Sequence, residues 1–377
     1  MSNKFKKALD KNLSSDIPNI RLQDSKNFVR TFTTKQKGGE SKMKKRILTG
    51  DRPTGPLHLG HYVGSLENRV KFQDEYDCFF IIADYQVLTD HLRKTEKTER
   101  YIREVVLDYL SVGISPEKST IFIQSLIPEI AELTVYFSMM VTLARLQRNP
   151  TVKEEVKATK ISEMSYGFLG YPISQAADIL SVRAHLVPVG EDQLAHVEQT
   201  REIVRTFNRL FGKVFPIPEG LVGRVPRLVG LDGQKMSKSR GNAIFLSDSP
   251  ETVRRKVNTA ITDPARIHPT DFGHPEICNV FQYHKAFNMP EYQEIEKVCK
   301  AGQIGCVACK KRLAEVVNKF LEPIREKRRF YEERDNFIKE TLRSGNERTR
   351  NEAKETIRMA REAMHFDYKN LLDRPIA

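Results

Sequence analysis

Arg46-Ile47-Leu48-Thr49-Gly50-Asp51-Arg52-Pro53-Thr54-Gly55-Pro56-Leu57-His58-Leu59-Gly60-His61 reads as an apolar strand, a turn built from Gly and Pro, and the start of a helix. The run that follows, Leu59 to Phe72, is amphipathic, so the segment is a β-α opening. Cys78 to Ala83, Thr120 to Ile123 and Val187-Pro188-Val189 read as further buried parallel strands separated by helical stretches. That alternation predicts an α/β fold with a Rossmann-like, doubly wound parallel sheet, whose ligands sit at the carboxyl ends of its strands.

Beyond about Ser247 the strand pattern stops. Residues 310 to 369 hold 17 Lys or Arg against 12 acids on a helical periodicity broken near Pro323 and Gly345, which predicts a helical second domain. Three regions are expected: a basic flexible extension over 1–42, a Rossmann-like domain over 43–246, and a C-terminal helical domain over 247–377.

With 377 residues, 39% apolar and 29% charged, the chain has room for one large or two medium domains. Charges interrupt every apolar run before it reaches the length of a membrane span, which predicts a soluble protein with no membrane partner. The 62 Lys and Arg exceed the 49 Asp and Glu, a balance that suits a nucleic-acid partner or simply a solvated basic surface.

Residues 1–42 carry ten Lys or Arg against four acids. An organelle transit peptide is the competing reading there, opposed by Asp10, Asp16, Asp24 and the bias of Lys over Arg. Cys78 stands alone and the other four cysteines fall between 278 and 309, so they make a local site rather than a secreted disulfide framework. A reducing, cytoplasmic setting is expected, with an organelle as the alternative.

In the first turn, two imidazoles three residues apart stand where a helix begins, with Gly60 between them allowing close approach. Ring N–H groups and free backbone amides there converge on phosphate, although two histidines near a helix start also serve as caps. Gly233-Gln234-Lys235-Met236-Ser237-Lys238-Ser239 is a second, cationic loop, roughly 175 residues further on. Its two ammonium groups suit closure on a pyrophosphate as charge develops there, and a solvated Lys and Ser loop is the plain alternative.

Taken together, the two elements resemble the HIGH and KMSKS signatures of class I aminoacyl-tRNA synthetases, and residues 43 to 368 are similar to the bacterial-type tryptophanyl-tRNA synthetases. Tyr171-Pro172-Ile173-Ser174-Gln175-Ala176-Ala177-Asp178-Ile179-Leu180 and Val187-Pro188-Val189-Gly190-Glu191-Asp192-Gln193 support the likeness. The resemblance implies activation of L-tryptophan with ATP and Mg2+, transfer to tRNA(Trp), and a homodimer. It assigns His58, His61, Lys235 and Lys238 to catalysis, and Arg52, Thr54, Gly60, His61, Gly190, Asp192, Gln193, Lys235, Met236, Ser237 and Lys238 to ATP. Arg52 stands where many relatives carry Gln.

Tyr171, Gln175 and Asp178 fall at i, i+4 and i+7, so one helix face presents all three. An indole N–H only donates, which suits the Asp178 carboxylate as acceptor, while Tyr171 and Gln175 suit the substrate ammonium. The resemblance assigns this trio to tryptophan, although many relatives carry Met at the Gln175 position. A buried polar network or a helix cap is the structural alternative. The tyrosyl enzymes share a similar trio, and what favours tryptophan is the wider wording from Gly190 through Arg201.

Cys278, Cys299, Cys306 and Cys309 have 20, 6 and 2 residues between them. Four thiolates close a tetrahedral site, and zinc and a [4Fe-4S] cluster both fit that donor set. A subset of the resembled family carries a [4Fe-4S] cluster on a pattern with the same last two intervals and a slightly longer first one. The resemblance therefore implies iron–sulfur, with zinc as the alternative, in the domain that reads the anticodon. A small-molecule nucleotidylyltransferase and an idle RNA-binding or tryptophan-sensing paralogue are the rival functions, and the intact His and Lys pairs oppose the second. The chain itself contains no tryptophan.

Overall fold

The computed structural model describes residues 44–93, 95–159, 164–222, 228–238 and 240–368, without the side chains of 90, 91, 157–159 and 192. Residues 1–42, and with them the expected extension, lie outside the described residues.

Among the described residues five strands form one sheet: β1 (Arg46–Asp51), β2 (Asp77–Ile82), β3 (Ser119–Ile123), β4 (Leu186–Val189) and β5 (Glu219–Val222). Their order is β3-β2-β1-β4-β5, and every pairing is parallel, which is the expected doubly wound α/β sheet. Side chains alternate across it into two buried layers. Ile47, Cys78, Phe80 and Ile82 point to one core, Leu48, Phe79, Ile81 and Val187 to the other. Both faces are apolar, which is why these strands read as continuous hydrophobic runs in the sequence.

The first face is covered by α3 (Thr98–Val112), through Val105, Val106 and Tyr109, and by Leu313, Val317 and Leu321 of the long C-terminal helix α10 (Cys306–Glu332). The second carries α4 (Pro128–Ser138), α5 (Tyr166–Ser181), α6 (Leu194–Phe211) and α11 (Asp335–Ala363). The described residues from Pro250 to Ala363 are mainly helical, with α7 (Pro250–Asn258), α8 (Asn279–Phe287) and α9 (Tyr292–Lys300) preceding α10.

Three local expectations are corrected. Pro323 lies inside α10 and Gly345 inside α11, and the break between those helices comes instead at Glu333 and Arg334. Gly345 is there for proximity: a Cβ would stand 1.9 Å from the Ile121 carbonyl oxygen, so only glycine lets α11 approach β3 so closely. Near Pro323, which lacks the N–H for Lys319, Arg325 Nη1 donates to the Asn318 carbonyl at 3.3 Å, and packing carries the helix through. The amphipathic run from Leu59 is not one α-helix but α1 (Leu59–His61), a π-helical turn over Tyr62–Leu66, and α2 (Glu67–Phe72).

Strand β5 was not expected from the sequence. It is a half-exposed edge strand of four residues that contains a glycine, so it lacks both alternation and an apolar run. The opposite edge, β3, is capped: Ile123 N–H donates to Asn346 Oδ1 of α11 at 2.8 Å, one residue beyond Gly345. In the apolar stretch from Leu133 to Leu146, Leu133, Phe137 and Leu146 are core, while Val135, Met139 and Leu143 are exposed. No helix among the described residues is long and apolar enough to cross a membrane.

Candidate active site

Adjacent strands β1 and β4 end side by side, tied by the Thr49 hydroxyl donating to the Pro188 carbonyl at 2.6 Å. Chain connections leave them in opposite directions, which makes their carboxyl ends the switch point of the sheet. From β1 runs the turn carrying His58 and His61. From β4 runs Gly190 and a 3-10 turn, Glu191–Gln193, whose Gln193 N–H donates to the Gly190 carbonyl at 3.0 Å. Asp192 stands in that turn, and its side chain lies outside the described ones.

The His58–His61 turn is laced on all sides. Leu57 N–H donates to Asp108 Oδ2 at 2.6 Å, Leu246 N–H to the Leu57 carbonyl at 3.0 Å, and Leu59 N–H to the Ile244 carbonyl at 2.9 Å. His58 N–H donates to His61 Nδ1 at 3.1 Å, so the ring of His61 both caps the turn and keeps Nε2 as its outward nitrogen. The two rings lie 3.8 Å apart between centroids, tilted by 45°. Burial, the neighbouring His61 and Lys238 push the His58 imidazole down to about 2. Burial and Lys238 push His61 down to about 4, against the pull of Asp51. Both rings are therefore neutral near pH 7, donors without charge.

The cationic loop folds onto this turn. Lys238 Nζ donates to the Gly55 carbonyl at 2.7 Å, and Gly55 holds φ +132°, a conformation that favours glycine. Gly60 lets the two motifs approach closely: a Cβ there would stand 3.0 Å from the His58 ring and 3.1 Å from Met236 Sδ. Lys235 is exposed, and buried Asn242 braces the loop, accepting from Ser237 N–H at 2.9 Å and donating to the Lys235 carbonyl at 3.1 Å. Burial and the Arg52 guanidinium lower Lys238 to about 8, which keeps it close to titrating. Thr54 N–H donates to the Arg52 carbonyl at 2.8 Å within the same turn.

Beneath the cations lies a carboxylate that sequence reasoning missed. Asp51 Oδ2 accepts from Arg69 Nη1 and from Tyr109 OH, each at 2.7 Å. Burial opposes its ionisation, yet Arg69, His61 and those two hydrogen bonds hold it well below the usual carboxylate range. Asp51 also pulls upward on the affinity of His61 and Lys238 for protons, so it is the fixed counter-charge of the site. A lone acid at the end of a strand, followed by Arg52 and two histidines, was the available signal.

On α5, Tyr171 and Asp178 are buried and Gln175 is half-buried. Asp178 Oδ1 accepts from Gln124 Nε2 at 2.7 Å, and burial with nearby Asp84 raises its carboxyl well above the ordinary range. Tyr171 OH hydrogen-bonds His196 Nε2 at 3.0 Å, and His196 is backed by Asn149, whose amide donates to Gln199 Oε1 at 2.9 Å. Asp178 and Tyr171 are thus each held by polar partners, and Gln124, His196 and Asn149 are neighbours that periodicity did not reveal.

The four clustered cysteines are free thiols that come together from three elements: Cys278 at the start of α8, Cys299 in the last turn of α9, and Cys306 and Cys309 at the start of α10. Burial and the other three cysteines push the Cys309 thiol up to about 12. Its sulfur lies 3.5 Å from His284 Nε2, and Arg266 Nη1 approaches Cys299 Sγ at 3.7 Å. Among the described residues no three His, Cys, Asp or Glu side chains are arranged to hold a metal ion.

The His58–His61 turn, the lysine loop folded onto it and the buried polar side chains of α5 stand on one doubly wound sheet, and comparison with known proteins gives the family. Residues 40–322 match the model of the class I tRNA synthetases (W and Y). A tryptophan–tRNA ligase of Treponema pallidum is 49% identical over 335 residues, 88% of this chain and 99% of that one. Another, of Chlamydia caviae, is 48% identical over 336 residues, 86% and 97% of the two chains. Tryptophanyl-tRNA synthetase of Campylobacter jejuni, solved with ADP and tryptophan, superposes with a TM-score of 0.74 at 33% identity, covering 85% of this chain and 99% of its own. The chain belongs to the class I aminoacyl-tRNA synthetases. Within that class it falls among the tryptophanyl-tRNA synthetases, and its activity is that of a tryptophan–tRNA ligase.

Proposed function

We propose that the neutral rings of His58 and His61 donate to the phosphates of ATP while Lys235 and Lys238 neutralise the departing pyrophosphate, and that the α5 pocket holds L-tryptophan. The tryptophan carboxylate attacks the α-phosphate in line, and the adenylate then esterifies tRNA(Trp). Positioning and charge supply the rate, and no side-chain nucleophile is required. Mg2+ enters with the nucleotide and offsets charge on its phosphate oxygens. Arg52, Thr54 and Gly60 line the phosphate turn, and Met236 and Ser237 belong to the loop that closes on it. Gly190, Asp192 and Gln193 meet the nucleoside. Asp178 accepts the indole N–H, with Tyr171 and Gln175 beside the substrate ammonium.

The observation that carries this reading is Lys238 Nζ on the Gly55 carbonyl, a contact between one residue of each motif, 183 apart in the chain. Neighbours support the substrate: a buried acceptor at Asp178 suits an indole N–H, and losing such a hydrogen bond discriminates strongly against analogues. Tyrosine is the second reading, because its phenol donates as well.

Cys278, Cys299, Cys306 and Cys309 would hold a [4Fe-4S] cluster, or zinc. The donor set fits: four thiols, three of them buried, the other three close enough to Cys309 to hold its thiol protonated. The group would fasten α8, α9 and α10 together at the end of the molecule assigned to the anticodon. A second copy of the chain suits exposed Val135, Met139 and Leu143. The cytosol, where charged tRNA is consumed, is the expected compartment, and an organelle is the alternative.

The test is ATP–pyrophosphate exchange with each amino acid separately, on protein purified without oxygen and with its visible spectrum recorded. Tryptophan-dependent exchange and a broad charge-transfer band are expected. Exchange with tyrosine alone overturns the pocket assignment, absence of exchange with any amino acid favours the idle paralogue, and a colourless zinc-loaded protein replaces the cluster.

A further inference from the structure

Helix α10 is 27 residues long, about 40 Å. Two of its cysteines stand at its start, and the far half is linked to the His58–His61 turn by three routes, each through an intervening residue. Phe320 packs edge-on against Tyr62, the residue after His61, at 4.8 Å between centroids. Arg325, buried, donates through Nε to the Asp248 carbonyl at 2.8 Å. Asp248 Oδ2 in turn accepts Phe245 N–H at 2.8 Å, and Phe245 bridges His58 in antiparallel fashion. One turn on, Arg328 is buried with three acidic partners: Asp108 at 2.6 Å, Glu104 at 2.6 Å and Glu332 at 2.8 Å.

Asp108 is the decisive partner. It is fully buried, its Oδ1 faces Arg328, and its Oδ2 accepts the N–H of Leu57 next to His58. Burial pushes this carboxyl up to about 7 even with Arg328 and the Leu57 N–H opposing it, so the guanidinium is what makes the acceptor strong. A helix that contributed only core packing would not need a buried charge aimed at the backbone of a phosphate turn.

We propose that Arg328 is a positioning residue for adenylate formation, acting through Asp108 on the Leu57 N–H and so on the placement of His58. The inference rests on the reading of His58 as a phosphate contact. It makes the ATP site answerable to a helix whose other end is the four-cysteine region. Small displacements at a reacting phosphate are costly, on the order of 100-fold for about 1 Å.

The experiment is ATP–pyrophosphate exchange with the full chain, with kcat expressed per active site counted from the adenylate burst. Arg328→Gln is expected to lower kcat by about 10- to 100-fold while the KM for tryptophan stays within about twofold. Arg328→Lys, which keeps the charge and one contact, is expected to recover part of that loss. A per-site kcat of Arg328→Gln within twofold of the parent overturns the positioning role, as does an equal loss in both variants.

If Arg328→Gln does not fold, Asp108→Asn combined with Arg328→Gln gives a neutral amide pair that still offers Leu57 an acceptor. That double variant is expected to fold and to exchange at a reduced per-site kcat, and parental kcat in it overturns the proposal. His58→Ala separates the two ideas. Parental exchange in His58→Ala overturns the phosphate reading itself, whereas a slow His58→Ala beside a parental Arg328→Gln overturns the positioning alone.

Discussion

The His58–His61 turn and the polar face of α5, the proposed phosphate and amino-acid ends of the site, are built in different ways. The pocket draws Tyr171, Gln175 and Asp178 from one helix, with Gln124 and His196 as immediate partners. The phosphate turn is held by groups from across the chain: Asp51 and Arg69 beneath it, Asp108 on α3, Lys238 on its loop and Arg328 on α10. In the proposed reading the first arrangement sets which molecule enters, and a single helix suffices because a rigid face already fixes relative positions. The second must hold fixed donors where charge develops, and only buried, mutually compensating charges keep that geometry in a dry site.

The contrast predicts that damage at the phosphate end spreads to the fold, whereas damage at the pocket stays local. Asp51→Ala leaves Arg69 buried without its carboxylate, and unfolding by denaturant should show a loss of about 3–5 kcal/mol. The same pair fixes a pH dependence. Because Asp51 is held below its unfolded value of about 4, its contribution is present above that pH and is lost as the pH falls toward the folded value. The parent's stability should therefore decline below about pH 4 more steeply than that of Asp51→Ala.

Asp178→Ala should be milder and specific. Loss of one buried hydrogen bond is expected to cost about 1.5–3 kcal/mol in kcat/KM for tryptophan, with the KM for ATP unchanged. An equal rise in both KM values would erase the proposed division of labour.

The smallest effect concerns protonation. With Lys238 lowered to about 8, kcat/KM for ATP should fall as the pH rises through that value, because the ammonium is lost. Lys238→Arg, which stays charged, should flatten the alkaline limb. A limb that persists in Lys238→Arg assigns it to another group.

Legibility followed the same division. The buried strands announced themselves as apolar runs, and the trio on α5 followed from helical spacing together with the family resemblance. The two phosphate motifs were readable as local strings, but their junction was not, since nothing in the spacing of Gly55 and Lys238 says that they touch. Asp108, Arg69 and Arg328 looked like ordinary charges on amphipathic helices, and only folding reveals that they face inward and pair. Pro323 and Gly345 misled for a related reason. Both are poor helix residues by propensity, and long-range packing overrides that preference, in one case because the helix backbone must lie against a strand. The π-helical turn after His61 has no signature in the residue pattern.

One consequence of the Asp178 pocket is optical. The chain lacks indole altogether, its aromatic absorption coming from 12 Tyr and 20 Phe. Bound substrate would then be the sole fluorophore excitable at the red edge of the near-ultraviolet, placed beside a buried carboxyl instead of water. Occupancy of the pocket, its exchange with solvent and its conversion to adenylate would each be visible as the substrate's own emission, with no label attached and no protein background to subtract.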